Sequence, residues 1–269
     1  MFATAVLLLG VVGVAPDGGP PSARDLLAAG DAAWQSRGDP ARLSEALDDY
    51  RQAAERDPGD GAAELRLARA EAFRALRDPG VGADAWPRAS RAAERALRRL
   101  APRWAAAVDA GDARAAAASV DASGAEALYW LSLAAYSAAQ LKGFGAVLAV
   151  KDVAIASMER AAELDPRIDC AGPHRALGAW RAGLPVAVGG GAEHARVEFE
   201  KALAIGPQCQ LSRVREAETL FVLLQDRKSF EATLREVLAS AGSDGPWEPE
   251  NALARGLARE LLDREGRLF

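Results

Sequence analysis

Two histidines, His174 and His194, and two cysteines, Cys170 and Cys209, are all the imidazole and thiol chemistry this chain offers. The histidines stand 20 residues apart and the cysteines 39. No CxxC or HExxH spacing brings such groups onto one turn or helix face, so no metal centre and no cofactor are implied. Gly189, Gly190 and Gly191 precede Ala192-Glu193-His194. Without a preceding strand, a GK[ST] ending or GxGxxG spacing, they read as an inter-helix turn rather than a phosphate cradle. No serine sits in a GxSxG turn, and no acidic pair stands out from the solvated faces. The expectation is a protein that is not an enzyme.

Binding chemistry is better represented. Tyr129, Trp130 and Tyr136 share a stretch with Leu128 and Leu133. Tyr129 and Tyr136 are one heptad apart and share a helix face, which makes them candidates to line a groove and orient an apolar ligand by their hydroxyls. Trp130 reads first as inter-helix packing with its indole N–H at the edge. His174 and Arg175 open a helix after Gly172-Pro173, where an anionic ligand or a partner's carboxylate is favoured. The alternative is internal pairing of Arg175 with Asp165 or Asp169. Trp180, on the same helix, completes the candidate ligand and partner contacts. Arg91, Arg95, Arg98, Arg99 and Arg103 form a run that reads as a solvated helix face, with a carboxylate-bearing partner as the alternative.

The elements that must position these residues are helices. Alanine makes up about a quarter of the chain and is the strongest helix former. Ile and Thr, which sheets prefer, occur three times each. The chain is therefore expected to be all-α. With 50% hydrophobic residues and a net charge of −5, it is neither disordered nor a nucleic-acid binder.

Three segments repeat one pattern of small residues, a large residue and a proline: Ala46, Tyr50, Ala53, Pro58; Ala154, Met158, Ala161, Pro166; Ala195, Phe199, Ala202, Pro207. A looser copy is Ala89, Ala93, Ala96, Pro102. The alanines allow close helix approach, the large side chain fills the gap between hairpins, and the proline ends the helix. This resembles the second helix of a tetratricopeptide (TPR) unit and implies a right-handed solenoid of antiparallel hairpins. Ser22 and Asp25 form a capping-box start, Gly38-Asp39-Pro40 a turn, and Asp60 a cap for a helix over 61–76. Further helices are expected over 125–141 and 173–187. Residues 100–124 form an insertion of short helices split at Gly111-Asp112. A hairpin over 211–225 and 230–238 precedes a closing helix over 250–265. Cys170 and Cys209 fall in equivalent inter-repeat turns, where hairpins stacked about 8–10 Å apart favour two free thiols over a disulfide.

Residues 2–15 are an unbroken apolar run, shorter than the about 20 residues a bilayer-spanning helix needs. The run suits the core of a secretory signal, with Gly13-Val14-Ala15 offering small residues for cleavage. A buried N-terminal helix is the alternative. The expected organisation is a signal peptide with a short linker over 1–20, followed by one solenoid domain over 21–269.

Leu128-Tyr129-Trp130, then Met158-Glu159-Arg160 to Asp165-Pro166, then Pro173-His174-Arg175-Ala176-Leu177-Gly178 before a final hairpin together resemble the T component of TatT-type TRAP transporters. The similarity runs from about Ala96 to the last helix. The resemblance implies an extracytoplasmic TPR-like scaffold, a homotrimer with apolar pores, docking to a periplasmic solute-binding protein and a hydrophobic cargo. Members of that family are often lipoproteins. No lipobox Cys follows the apolar run here, so a soluble periplasmic form is expected rather than a lipid-anchored one. A general cell-envelope TPR adaptor that binds peptides or helices of other proteins is the alternative function.

Overall fold

In the computed structural model, residues 19–240, 242 and 245–269 are described. The expected signal peptide falls almost wholly on residues 1–18, outside them. The described chain is helical, with no strand among these residues. In order the helices are α1 (Ala23–Trp34), α2 (Pro40–Arg56), α3 (Gly61–Arg77), α4 (Gly82–Leu100), α5 (Pro102–Asp109), α6 (Ala113–Ser119) and α7 (Ala125–Lys142). They continue as α8 (Phe144–Leu164), α9 (Gly172–Gly183), α10 (Ala192–Ile205), α11 (Gln210–Glu216), α12 (Arg227–Ala239) and α13 (Glu248–Asp263). A π-helical segment, Ala217–Phe221, extends α11. No described helix is long and apolar enough to cross a membrane.

Local chemistry sets the helix starts. The Asp25 N–H donates to Ser22 Oγ at 3.2 Å while the Ser22 N–H donates to the Asp25 carboxylate at 3.0 Å, a reciprocal box. Asp39 and Asp60 accept from the Ala41 and Ala62 N–H groups at 2.8 and 2.9 Å, satisfying donors that a helix start leaves without partners. Asp112 caps α6 in the same way, and Gly111, at φ 81°, supplies the left-handed turn that separates α5 from α6.

Helices neighbouring in sequence pack on one another from α1 through α4, α4 packs on α7 across the short α5–α6 insertion, and α7 through α11 continue in order. The repeated positions lie inside. Ala46, Tyr50, Ala53, Met158, Ala161, Ala195, Phe199 and Ala202 are all fully buried. Two of the three large residues, Tyr50 and Phe199, sit against glycines of the preceding helix. A Cβ added at Gly30 would stand 2.6 Å from the Tyr50 ring, and one at Gly178 would stand 2.9 Å from the Phe199 ring. The glycines let the ring and the helix backbone touch directly.

One apolar core runs from Trp34 on α1 to Trp180 and Leu184 at the end of α9. A separate cluster of Val214, Phe230, Leu234, Ala254 and Leu261 holds α11, α12 and α13 together. The insertion is anchored by Trp104, Ala116 and Val120 against Leu97 and Leu128.

Candidate functional site

The site is a cavity of about 500 Å³ between the N-terminal helices, α7 and the start of α13. Trp34, Phe73, Trp130 and Trp247 give it aromatic walls. Charge comes from Arg37, Arg66 and Arg69 and from Asp31, Glu126, Asp169 and Glu250. These residues come from positions 31 to 250, so only the tertiary fold assembles them.

Arg37 follows the end of α1 and donates from Nε and Nη2 to the Glu250 carboxylate at 2.8 and 2.6 Å. Its Nη2 also donates to the Pro246 carbonyl at 2.5 Å and its Nη1 to the Trp34 carbonyl at 3.3 Å. Both charged side chains are nearly buried, at 5% and 10% exposure. Burial raises the Glu250 carboxyl above the ordinary glutamate value, and the Arg37 pair opposes this without cancelling it.

Asp31 is treated differently by its surroundings. Partial burial works to raise its pKa. Arg66 Nε, at 2.8 and 3.0 Å from the two carboxylate oxygens, and the Tyr50 hydroxyl, donating at 2.9 Å, outweigh it and hold the group below the usual range. Arg69 joins the same network beside the Tyr50 hydroxyl and within electrostatic reach of Asp31. Its guanidinium lies 4.4 Å from the centre of the Trp34 ring, and that of Arg37 stacks on the same ring at 4.7 Å. Trp130 donates from its indole nitrogen to Glu126 at 3.1 Å.

The floor near Asp169 is a strained turn. Asp169, Cys170 and Ala171 are consecutive non-glycine residues with φ of 47°, 54° and 61°, a conformation that costs energy and needs external support. Arg175 supplies it, donating to the Asp169 and Cys170 carbonyls, each at 3.1 Å, and to the Asp169 carboxylate at 2.5 Å. The Tyr129 hydroxyl donates to the same carboxylate at 2.6 Å. Cys170 is disulfide-bonded to Cys209, with Cα atoms 6.1 Å apart. The expected free thiols are thus corrected. The left-handed turn after α8 and the loop after α10 approach within the Cα spacing that a disulfide needs.

The expected ligand-facing tyrosines are also corrected in position. Tyr129 and Tyr136 do share a face of α7, but both are buried, at 0% and 2% exposure. Tyr136 stacks on Trp180 with ring centres 4.1 Å apart, and burial pushes its phenol up to about 12. Burial also raises the Tyr129 phenol well above its ordinary value, and Asp169 adds to the rise. His174 faces Glu198 at 2.7 Å rather than an open surface. Arg175 makes the internal pair with Asp169 that was the alternative reading. Of the six candidates only Trp130 borders the cavity. Sequence reasoning missed Asp31, Arg37, Arg69 and Glu250, and no motif or spacing marks them.

A family model described as TRAP transporter T-component matches residues 82–269, from the first residue of α4 through the C-terminal end. No curated protein matches the chain. Helices α1 to α3, which carry Trp34, Arg66, Arg69 and Phe73, lie before the matched residues. The match covers well over half of the chain, and the protein belongs to the TRAP transporter T-component family.

Proposed function

We propose that the protein is a non-enzymatic, extracytoplasmic TPR-like scaffold of a TRAP uptake system. It docks the system's periplasmic solute-binding protein and holds an apolar ligand as that ligand passes through. The observation that carries this reading is the family match over residues 82–269 together with a cavity of about 500 Å³ walled by four aromatic rings. Such a volume falls in the range of about 300–1,000 Å³ typical of small-molecule sites. The mechanism is structural. The helices hold the cavity open in a fixed shape, and a docked partner presents or receives the ligand at its mouth.

Self-assembly as a homotrimer fits the exposed apolar side chains at the α7–α8 corner. Leu141, Phe144 and Leu148 are 58%, 53% and 38% exposed, and exposed apolar clusters of this kind favour protein contacts. The testing experiment is calorimetric titration of the purified chain with a TRAP solute-binding protein from the same organism. Saturable binding at a fixed stoichiometry is expected. No heat, together with capture of unstructured peptides, would favour the envelope-adaptor role instead.

A further inference from the structure

We propose that α11, α12 and α13 form a hinged wall of the cavity, latched shut by Arg37. The inference goes beyond the scaffold reading and does not rest on it.

The two edges of this unit are built differently. Its helices pack on one another around Val214, Phe230, Leu234, Ala254 and Leu261, a core that shares no residue with the one running from Trp34 to Leu184. Toward α9 and α10 the joint is apolar and covalent. Leu220 of the π-helical segment clusters with Ala182, Ala195 and Phe199, and Phe221 packs against both that cluster and the core of α11–α13. The Cys170–Cys209 bridge joins the loop before α9 to the loop before α11. Asn251 of α13 is tied to the same loop, accepting from the Gln210 N–H at 3.0 Å and donating to the Gln208 carbonyl at 3.1 Å. Toward the N-terminal helices the bonds are polar and centre on one residue. Arg37 donates to the Glu250 carboxylate and to the Pro246 carbonyl, and Gly38 abuts Pro249. Between joint and latch lies the cavity, to which the unit contributes Leu211, Pro246, Trp247 and Glu250.

A wall fixed by apolar packing and a disulfide at one edge, and by an ion pair at the other, opens at the ion pair. Parting an apolar core exposes its surface to water, whereas a buried ion pair regains hydration as it parts, which offsets much of its attraction. The hollow between the two edges leaves little packing to lose. With the latch closed the cavity keeps its fixed shape. With it open, Pro246 and Trp247 move away from Trp34 and the mouth widens. Without Arg37, a closed wall would hold Glu250 buried and unpaired, so loss of Arg37 favours the open state. Arg37 precedes residue 82, where the family match begins, so the latch ties helices outside the match to a unit inside it.

The test is fluorine NMR relaxation dispersion on the full chain labelled with fluorotryptophan, with neither ligand nor partner present. Trp34, Trp130 and Trp247 border the cavity. Trp86, Trp104 and Trp180, buried elsewhere in the cores, report on the fold. Arg37→Met, and in parallel the milder Glu250→Gln, are expected to bring exchange at Trp34 and Trp247 and none at the three core tryptophans. Adding Gly38→Cys with Pro249→Cys to Arg37→Met makes the latch closable again. A Cβ added at Gly38 stands 3.8 Å from the Pro249 Cβ, a separation that a disulfide spans. Oxidising this pair is expected to cut the exchange at Trp247 at least about fivefold, on the μs–ms scale that dispersion reads, and reduction to restore it. Arg37→Met alone, with and without reductant, controls for the native bridge. Exchange that oxidation leaves undiminished, or exchange of equal size at the core tryptophans, would overturn the proposal. So would the absence of both exchange and a second signal at Trp34 and Trp247 in the two latch variants. None of these outcomes bears on docking of the solute-binding protein, which stands or falls by its own titration.

Discussion

Arg37 and Glu250, 213 residues apart, form a two-pronged ion pair at 2.8 and 2.6 Å across the cavity's edge. The pair fastens the end of α1 to the first turn of α13, and Arg37 adds a hydrogen bond to Pro246 beside Trp247. It is thus the polar clasp between the two ends of the described chain.

Removing one partner of this clasp strands a buried charge. Arg37→Met is expected to cost about 3–5 kcal/mol, and the double variant Arg37→Met with Glu250→Leu to recover much of it. Glu250 already has a raised pKa from burial, so without Arg37 it protonates more readily still. The cost of Arg37→Met is therefore expected to shrink as pH falls. Urea unfolding of the three variants at two pH values checks both statements.

Two glycines inside helices, Gly178 of α9 and Gly256 of α13, have opposite consequences. Gly178→Ala drives a Cβ into the Phe199 ring and is expected to destabilise by about 1–3 kcal/mol through overpacking. Gly256→Ala, inside α13 with nothing within 4 Å of its added Cβ, is expected to stabilise by about 0.4–1 kcal/mol. Thermal melts of the two variants should move in opposite directions.

The Cys170–Cys209 bridge braces the strained turn at 169–171. A thiol assay on unreduced, unfolded protein is expected to find no free thiol. Cys170→Ala with Cys209→Ala is expected to lower stability by about 2–4 kcal/mol, as closing a loop of this separation implies. Detection of two thiols in the unreduced protein would sink this expectation.

Glu198 gives an acid-side dependence. Burial works to raise its pKa, but hydrogen bonds from His174 and Lys201 hold it below the ordinary value. A group depressed in the folded state stabilises above its unfolded pKa, and that stability is lost as pH falls through the folded one. Asp31 acts in the same direction. The wild-type chain is expected to lose stability between about pH 5 and about pH 3, and Glu198→Gln to lose less over that window. Chemical unfolding across the window measures the difference.

Particular residues show what was legible in the sequence. Ala46-Tyr50-Ala53 and its copies are read from local spacing, because a small–large–small pattern on one helix face has one packing meaning. The caps at Ser22 and Asp60 depend only on the next few residues, and they fall where expected, while Asp39 of the expected turn also caps α2. The expected helix over 173–187 ends earlier, at Gly183, because Leu184 and Pro185 leave the helical conformation before the short turn Val186–Val188. The tyrosines of α7 show the limit. Their heptad spacing gives a shared face, but α7 is apolar on nearly every side and packs on α3, α4 and α8, so no polar face reveals which side meets water. The cavity was illegible for a different reason. Its charged walls are assembled by pairings that span up to 213 residues, which no local spacing encodes.

The most direct test of the scaffold account is native mass spectrometry of the chain from residue 21 onward, with and without its solute-binding protein. The account predicts a trimer that takes up the solute-binding protein in fixed ratio. A monomer whose mass is unchanged by an excess of that protein would contradict it.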